Sequence, residues 1–236
     1  MPALTLERLV SSLGFGSRKE SRSLIRMGLV EINGIVHDDP FMKLEARPEF
    51  INVNSEKIPT FEDLYLMMHK PVGVECSHNP RYYEGVFSLL PSRFLGMKIR
   101  SVGRLDVDSS GLLLFSNKGD FIHHIESPKR GVLKRYEVAL ARPLEEGQEK
   151  HLLAGVMLNN EKKPVFARSF KKLEDKLVEI EIGEGLYHQV RRMIAAVGNH
   201  AEALRRLSIG GVSLDPNLKP KEWRYLNAEE IESLSN

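Results

Sequence analysis

Gly103-Arg104-Leu105-Asp106-Val107-Asp108-Ser109-Ser110-Gly111 runs directly into Leu112-Leu113-Leu114-Phe115-Ser116. The second half is a short, unbroken apolar run bounded by turn residues, which predicts a buried strand. Such a strand belongs in the interior of a sheet, so it anchors the fold. The first half is a polar turn carrying two carboxylates, Asp106 and Asp108. A carboxylate at the mouth of a buried strand is held by the scaffold and open to a substrate. An aspartate in a turn also caps backbone amides, and the turn alone does not separate the two readings.

Outward from this stretch, strand and helix patterns alternate. Tyr65-Leu66-Met67-Met68 reads as a strand stopped by His69-Lys70-Pro71-Val72-Gly73. Arg135–Leu140 and Leu177–Ile182 alternate as half-buried strands, and Pro143 to Leu153 reads as a helix. Gly183-Glu184-Gly185 turns the chain into Tyr187-His188-Gln189. A helix follows with Val190, Ile194 and Val197 on one stripe and Gly198 at its end.

Toward the N-terminus, Leu6, Leu9, Val10 and Leu13 share one helix face, and Gly14 and Gly16 break the helix. Ser17 with Glu20 has capping-box spacing for a second helix, which Gly28 ends. That helix carries Arg18, Lys19, Arg22 and Arg26 mostly toward solvent. Leu29–Val36 reads as strand, Asn33-Gly34 turn, strand, with a further strand at Ile51-Asn52-Val53. Residues 1–58 therefore form a small module, 59–64 a polar linker and 65–236 a second domain.

The chain has 236 residues, 42% hydrophobic and 28% charged, the profile of an ordinary globular protein with enough length for a real core. No run is long enough to cross a membrane, and MPALTLERLV lacks the pattern of a secretory signal, so a cytoplasmic protein is expected. One cysteine, Cys76, cannot form an internal disulfide, and no Cys/His set has zinc spacing, so no metal is expected. No glycine-rich phosphate loop is present, so no cofactor is implied. The net charge of +2 is small, but basic residues cluster. Lys129, Arg130, Lys134 and Arg135 lie in an acid-free stretch, and Arg191, Arg192, Arg205 and Arg206 bracket another helix. Together with the Arg18–Arg26 cluster they fit a phosphate-contacting surface, though single clusters of this kind also serve as solvated helix faces.

The stretch GSRKESRSLIRMGLVEINGIVH resembles the S4 RNA-binding module. It departs from that pattern in its opening Leu6-Glu7-Arg8-Leu9 and in the balance of 8 basic and 8 acidic residues over 1–60, which leaves Arg18, Lys19, Arg22 and Arg26 to carry RNA affinity. Four further motifs, YLMMHKPVG (65–73), GRLDVDSSGLLLFSN (103–117), KRYEVAL (134–140) and GEGLYHQVRRMIAAVGNH (183–200), are followed by LRRLSIGGVSL (204–214). In order and spacing they resemble the pseudouridine synthases that act on ribosomal RNA with an attached S4 module. The segments SPKRGVLKRYEVAL and GVMLNNEKKP point to the branch that modifies the small ribosomal subunit.

The resemblance implies an α+β fold, with an S4 module joined to a catalytic domain whose mixed, mostly antiparallel sheet is flanked by helices. It implies isomerisation of one uridine of 16S rRNA to pseudouridine with Asp106 as the essential carboxylate. Asp108 is the rival, since two residues apart on an extended segment point the same way. A cation beside Asp106 would keep it ionised under a bound nucleotide, and the resemblance assigns that cation to Arg191. Arg192 lies about 100° further round the helix, where it would reach a phosphate. Tyr136 would lie against the base and Leu204 would line its pocket, while His188 and Gln189 brace the site. Arg104, Lys134 and Arg135 complete the expected substrate contacts, and Lys70-Pro71 the pocket wall. A monomer is expected, with ribosomal RNA as its partner. The rival readings are a synthase for a 23S rRNA uridine and a non-catalytic rRNA-binding assembly factor.

Overall fold

The computed structural model describes residues 4–235. The chain divides into two compact units, one comprising residues up to 64 together with 90–100, the other residues 65–89 together with 101 onward. The sequence reading puts all of 65–236 in the second domain. The segment 90–100 instead groups with the first unit.

In the first unit, α1 (Leu6–Ser12) and α2 (Arg18–Arg26) pack on a four-stranded antiparallel sheet. Its strands are β1 (Val30–Ile32), β2 (Ile35–Val36), β3 (Phe50–Val53) and β4 (Glu56–Pro59), in the order β2-β1-β3-β4. The capping box at α2 is complete: Ser17 N donates to Glu20 Oε2 at 2.7 Å, and Ser17 Oγ accepts from the Glu20 amide. Asn33 and Gly34 both have positive φ, as a tight hairpin turn demands. Leu6, Leu9, Leu13 and Ile25 from the helices meet Val30, Ile51, Val53 and Ile58 from the sheet in one core. Strand β4 takes residues up to Pro59, where the sequence reading begins a linker. Helix α3 (Arg93–Gly96) closes on the loop after α1. A Cβ on Gly14, whose φ is +85°, would lie 1.8 Å from the Arg93 carbonyl oxygen, so only glycine fits there.

The second unit is built on one large sheet. Its strands are β5 (Tyr65–Lys70), β8 (Arg100–Val102), β9 (Ser109–Ser116), β10 (Lys134–Leu140), β11 (Ser169–Glu174), β12 (Leu177–Ile182), β13 (Ala201–Ile209), β14 (Val212–Ser213) and β15 (Trp223–Tyr225). The main order is β11-β12-β10-β13-β9-β5-β15. Every pairing along that order is antiparallel except β13 with β9, which run parallel. A separate two-stranded ribbon joins β6 (Val74–Glu75) to β7 (Glu84–Gly85). Strand β9 is the predicted buried strand. Leu112, Leu113, Leu114 and Phe115 are all fully buried between β13 and β5, each worth about 1.5–3 kcal/mol of burial.

Helices α4 (Gly119–Glu126) and α7 (Ala228–Ser235) cover one face through Phe121, Ile122, Ile125 and Leu234, which pack on Leu112 and Leu114. Helix α6 (Gln189–Ala196) packs on β13 and buries Val190, Met193 and Ile194. Helix α5 covers Gln148–Ala154, not the predicted 143–153. Gly147 in the left-handed region starts it late, and Pro143–Glu146 runs irregularly, with the Leu144 amide donating to the Asp175 carbonyl.

Candidate active site

Asp106 lies on the loop between β8 and β9, and buried donors grip that loop by its backbone. Lys70, the last residue of β5, is fully buried. Its Nζ donates to the carbonyls of Pro71 (2.9 Å), Asp106 (3.0 Å) and Ser109 (2.8 Å), which uses all three ammonium hydrogens. Burial lowers its pKa, while the nearby Cys76 thiol and the Asp106 and Asp108 carboxylates pull the other way. The Gly73 amide donates to the Val107 carbonyl at 2.7 Å, and the Gly103 amide to Glu126 Oε1 at 2.6 Å.

Arg206 on β13 is almost wholly buried. Its Nε donates to the Leu112 carbonyl at 2.8 Å. Its Nη2 is buried with no partner among the described residues, a donor whose desolvation costs about 1–3 kcal/mol. Strand β13 reaches β9 this closely because of Gly111. With φ at +105°, a Cβ there would lie 2.2 Å from the Arg206 carbonyl oxygen.

The two carboxylates of the turn take different partners. Asp106 Oδ1 lies 3.2 Å from His188 Nε2, and Asp108 Oδ2 lies 3.0 Å from Arg191 Nη2. Asp106 is 32% exposed and Asp108 66%. His188 caps α6 in the left-handed region, with φ at +48°, and its ring stacks on Tyr187 at 3.8 Å. A non-glycine residue held there costs on the order of 1 kcal/mol and persists because its surroundings fix it.

Asp106 opens into a cleft of about 390 Å³ that is also lined by Tyr136, Leu204, Lys134, Arg206 and His188. Register explains the convergence. Tyr136 on β10 stands opposite Arg206 on β13, and Leu204 on β13 stands beside Ser109 on β9. Three neighbouring strands thus deliver the aromatic, the apolar wall and the start of the carboxylate turn to one place. Lys134 shares the Tyr136 face, and its Nζ donates to the Val132 carbonyl at 2.9 Å. Burial, then repulsion from Arg206, pushes its pKa down to about 8 against the pull of Glu184 and Glu126.

Several expected placements differ. Arg191 ion-pairs with Asp108, not with Asp106. Its Nη1 is fixed on the Ala201 carbonyl at 2.7 Å, which aims the other nitrogen at Asp108. The side chain that meets the Asp106 carboxylate is His188, expected only to brace the site. Gln189 does brace it: Oε1 accepts the Leu186 amide at 3.0 Å and Nε2 donates to Glu184 at 3.1 Å. Arg192 is not at a phosphate site. It pairs with Glu161 at 3.0 Å and donates to the Tyr187 and Asn159 carbonyls. Arg135 alternates away from Tyr136 and approaches Glu179 at 3.9 Å. Arg104 is exposed and lines the cleft mouth. In the first unit Arg18, Lys19 and Arg26 are exposed, whereas Arg22 is bonded to Glu7 and lies over the Phe41 ring. That hydrogen bond holds the Glu7 carboxyl below the usual carboxylate range.

Sequence reasoning missed Lys70 as the clamp and put Arg206 on the cleft rim, where it is instead a buried lining residue. Strand alternation could have found Arg206, two residues beyond Leu204 on the same face. Nothing in the sequence singles out a lysine ending a strand as a backbone clamp. A larger hollow, about 740 Å³, lies on the first unit beside Phe50, Pro59 and Phe61. It is an open groove lined by none of the expected site residues, so size does not choose the site.

Comparison with known proteins agrees with this geometry. The family model described as RNA pseudouridylate synthase matches residues 64–196, which hold β5 through α6. The chain is 37% identical over 216 residues to the ribosomal small subunit pseudouridine synthase A of Pasteurella multocida, covering 91% of this chain and 92% of that protein. It is 39% identical over 170 residues to the protein of the same name from Escherichia coli, covering 72% and 73%. A crystal structure of a pseudouridylate synthase superposes with a TM-score of 0.70 at 36% identity, covering 98% of this chain and all of that one.

Proposed function

The chain belongs to the RNA pseudouridylate synthase family, and from that premise we propose that it isomerises one uridine of small-subunit ribosomal RNA, with Asp106 as the catalytic carboxylate. The observation that carries the reading is the convergence of Asp106, Tyr136 and Leu204 in one cleft, with the Asp106 backbone clamped by a buried lysine. The small-subunit target is supported by relatives that carry that name along most of their length.

The reaction breaks the bond from uracil N1 to ribose C1′, turns the base over and joins C5 to C1′. The C5 proton leaves and N1 gains one, so no redox partner is consumed. Asp106 acts on the ribose or base as nucleophile or base. His188 Nε2, 3.2 Å from Asp106 Oδ1, orients the carboxylate. Tyr136 offers a ring to the turned-out uracil and Leu204 an apolar wall, the way base-flipping sites hold a base. Lys134 and Arg104 supply positive charge for the flanking phosphates. The first unit, with Arg18, Lys19 and Arg26 open on α2, serves as an S4-type RNA-binding module.

The test is tritium release from C5-labelled uridine in small-subunit ribosomal RNA. Release by the wild type and none by Asp106→Asn is the expected result. Release by both moves the catalytic role to another group, Asp108 first. RNA binding with no release by the wild type would mark a non-catalytic RNA-binding protein.

A further inference from the structure

Asp106 borders a second cleft. It measures about 500 Å³ and lies on the far side of the catalytic loop, lined by Glu75, Cys76, Ser77 and Tyr83. It shares Arg104, Leu105, Asp106 and His188 with the first cleft. The catalytic loop is therefore a partition between two hollows, each of a size that takes a small ligand. The mechanism above uses one of them.

The far wall is the ribbon loop between β6 and β7. It carries adjacent tyrosines, Tyr82 at 86% and Tyr83 at 53% exposure. The loop is not frayed. The Arg81 amide donates to Glu75 Oε2 at 3.2 Å, the Asn79 amide to Ser77 Oγ at 3.0 Å, and His78 stacks on Phe87 at 3.7 Å. A well-tied loop thus holds the Tyr83 ring out at the cleft, with no ring or hydrogen-bond partner among the described residues. Arg104 stands on the partition, and its guanidinium has no partner among the described residues.

We propose that this second cleft is a subsite for the nucleotide joined to the target uridine, with its base stacked on Tyr83 and the connecting phosphate at Arg104. The inference rests on the reading of the first cleft as the uridine site. The chemistry fits single-stranded RNA. An exposed ring stacks on any base face, and a cation between two base sites lies where the linking phosphate must pass. Asp108 and Glu75 do not bar the site, since Arg191 pairs with Asp108 and the Arg81 amide with Glu75. A base held there also keeps the target nucleotide from sliding out of the first cleft.

Tritium release from C5-labelled small-subunit ribosomal RNA tests this with wild type, Tyr83→Ala, Tyr83→Phe and Tyr82→Ala. Tyr83→Ala is expected to raise KM about ten-fold with kcat within about two-fold, the size of one lost stacking contact. Tyr83→Phe keeps the ring and brings KM back to within about two-fold of the wild type. Tyr82, outside the cleft lining, serves as the control and leaves KM near the wild-type value. An unchanged KM in Tyr83→Ala, an equal effect from Tyr82→Ala, or no rescue by phenylalanine overturns the subsite while leaving the uridine site standing. Absence of release by the wild type overturns the uridine site, and the subsite falls with it.

Discussion

The cations of helix α2 and those around the Asp106–Asp108 turn are the same residue types put to opposite uses. On α2, Arg18, Lys19 and Arg26 stand in solvent. Around the turn, Lys70 and Arg206 are buried and direct their hydrogens at backbone carbonyls of the loop and of β9. An exposed cation is screened and cheap, and its use is to meet a phosphate. A buried cation is costly to desolvate, so it persists only where several acceptors satisfy it, and there it fixes geometry. Charge counted along the chain predicts the first use and is blind to the second. Arg22, Arg135 and Arg192 show the same lesson: each sits in a basic run, yet each is engaged by an acid within the fold.

The sharpest break in this comparison comes at the turn itself. Asp106→Asn should abolish tritium release by at least about a thousand-fold with RNA affinity kept, whereas Asp108→Asn, on the outward and Arg191-paired carboxylate, should cost no more than about ten-fold. Next is the clamp. Lys70→Met leaves three backbone carbonyls, that of Ser109 buried, without their donor and should destabilise the second unit by about 3 kcal/mol. Thermal unfolding should show a midpoint about 6–12 °C lower. Lysine at an exposed α2 position should show no such drop when changed to methionine.

Lys134 lies between the two classes, half-buried and with a pKa near 8. In the folded protein it carries charge below that pH and loses it above, so wild-type KM for RNA should rise about three-fold between pH 7 and pH 9. Lys134→Arg, whose group stays charged, should flatten that rise in initial-rate measurements. The smallest effect belongs to α2. Replacing Arg18, Lys19 and Arg26 together by alanine should weaken RNA binding a few-fold and reduce the salt slope of log Kd by about 2 to 3, with kcat unchanged. A filter-binding titration across salt concentrations reads that slope, and an unchanged slope would remove α2 from the RNA contact.

Much of the scaffold was legible because it rests on local rules. The capping box at Ser17 and Glu20, the Asn33-Gly34 hairpin and the buried run Leu112–Phe115 all stand where periodicity and turn chemistry put them. The start of α5 was misread because the left-handed Gly147 delays a helix that residues from Pro143 onward could otherwise begin. Strand β4 goes unassigned in the sequence, and its last residue, Pro59, falls in the expected linker, because a short, mostly polar edge strand has little hydrophobic pattern of its own. In the site, the motif residues Asp106, Tyr136, Leu204 and Lys134 meet in one cleft. The pairing of partners was not legible.

The sequence by itself determined the capped helix α2, the Asn33-Gly34 hairpin, the buried strand β9, the turn that carries two carboxylates and the set of side chains able to do chemistry there. Those follow from neighbours along the chain, whose spacing is fixed by covalent geometry. Only the tertiary structure decided which carboxylate meets His188 and which meets Arg191, that Lys70 clamps the loop, and that the loop divides two clefts. Each of these depends on residues tens of positions apart along the chain. They are set by strand register and by the close approach that Gly111 allows between β9 and β13, which no local pattern encodes.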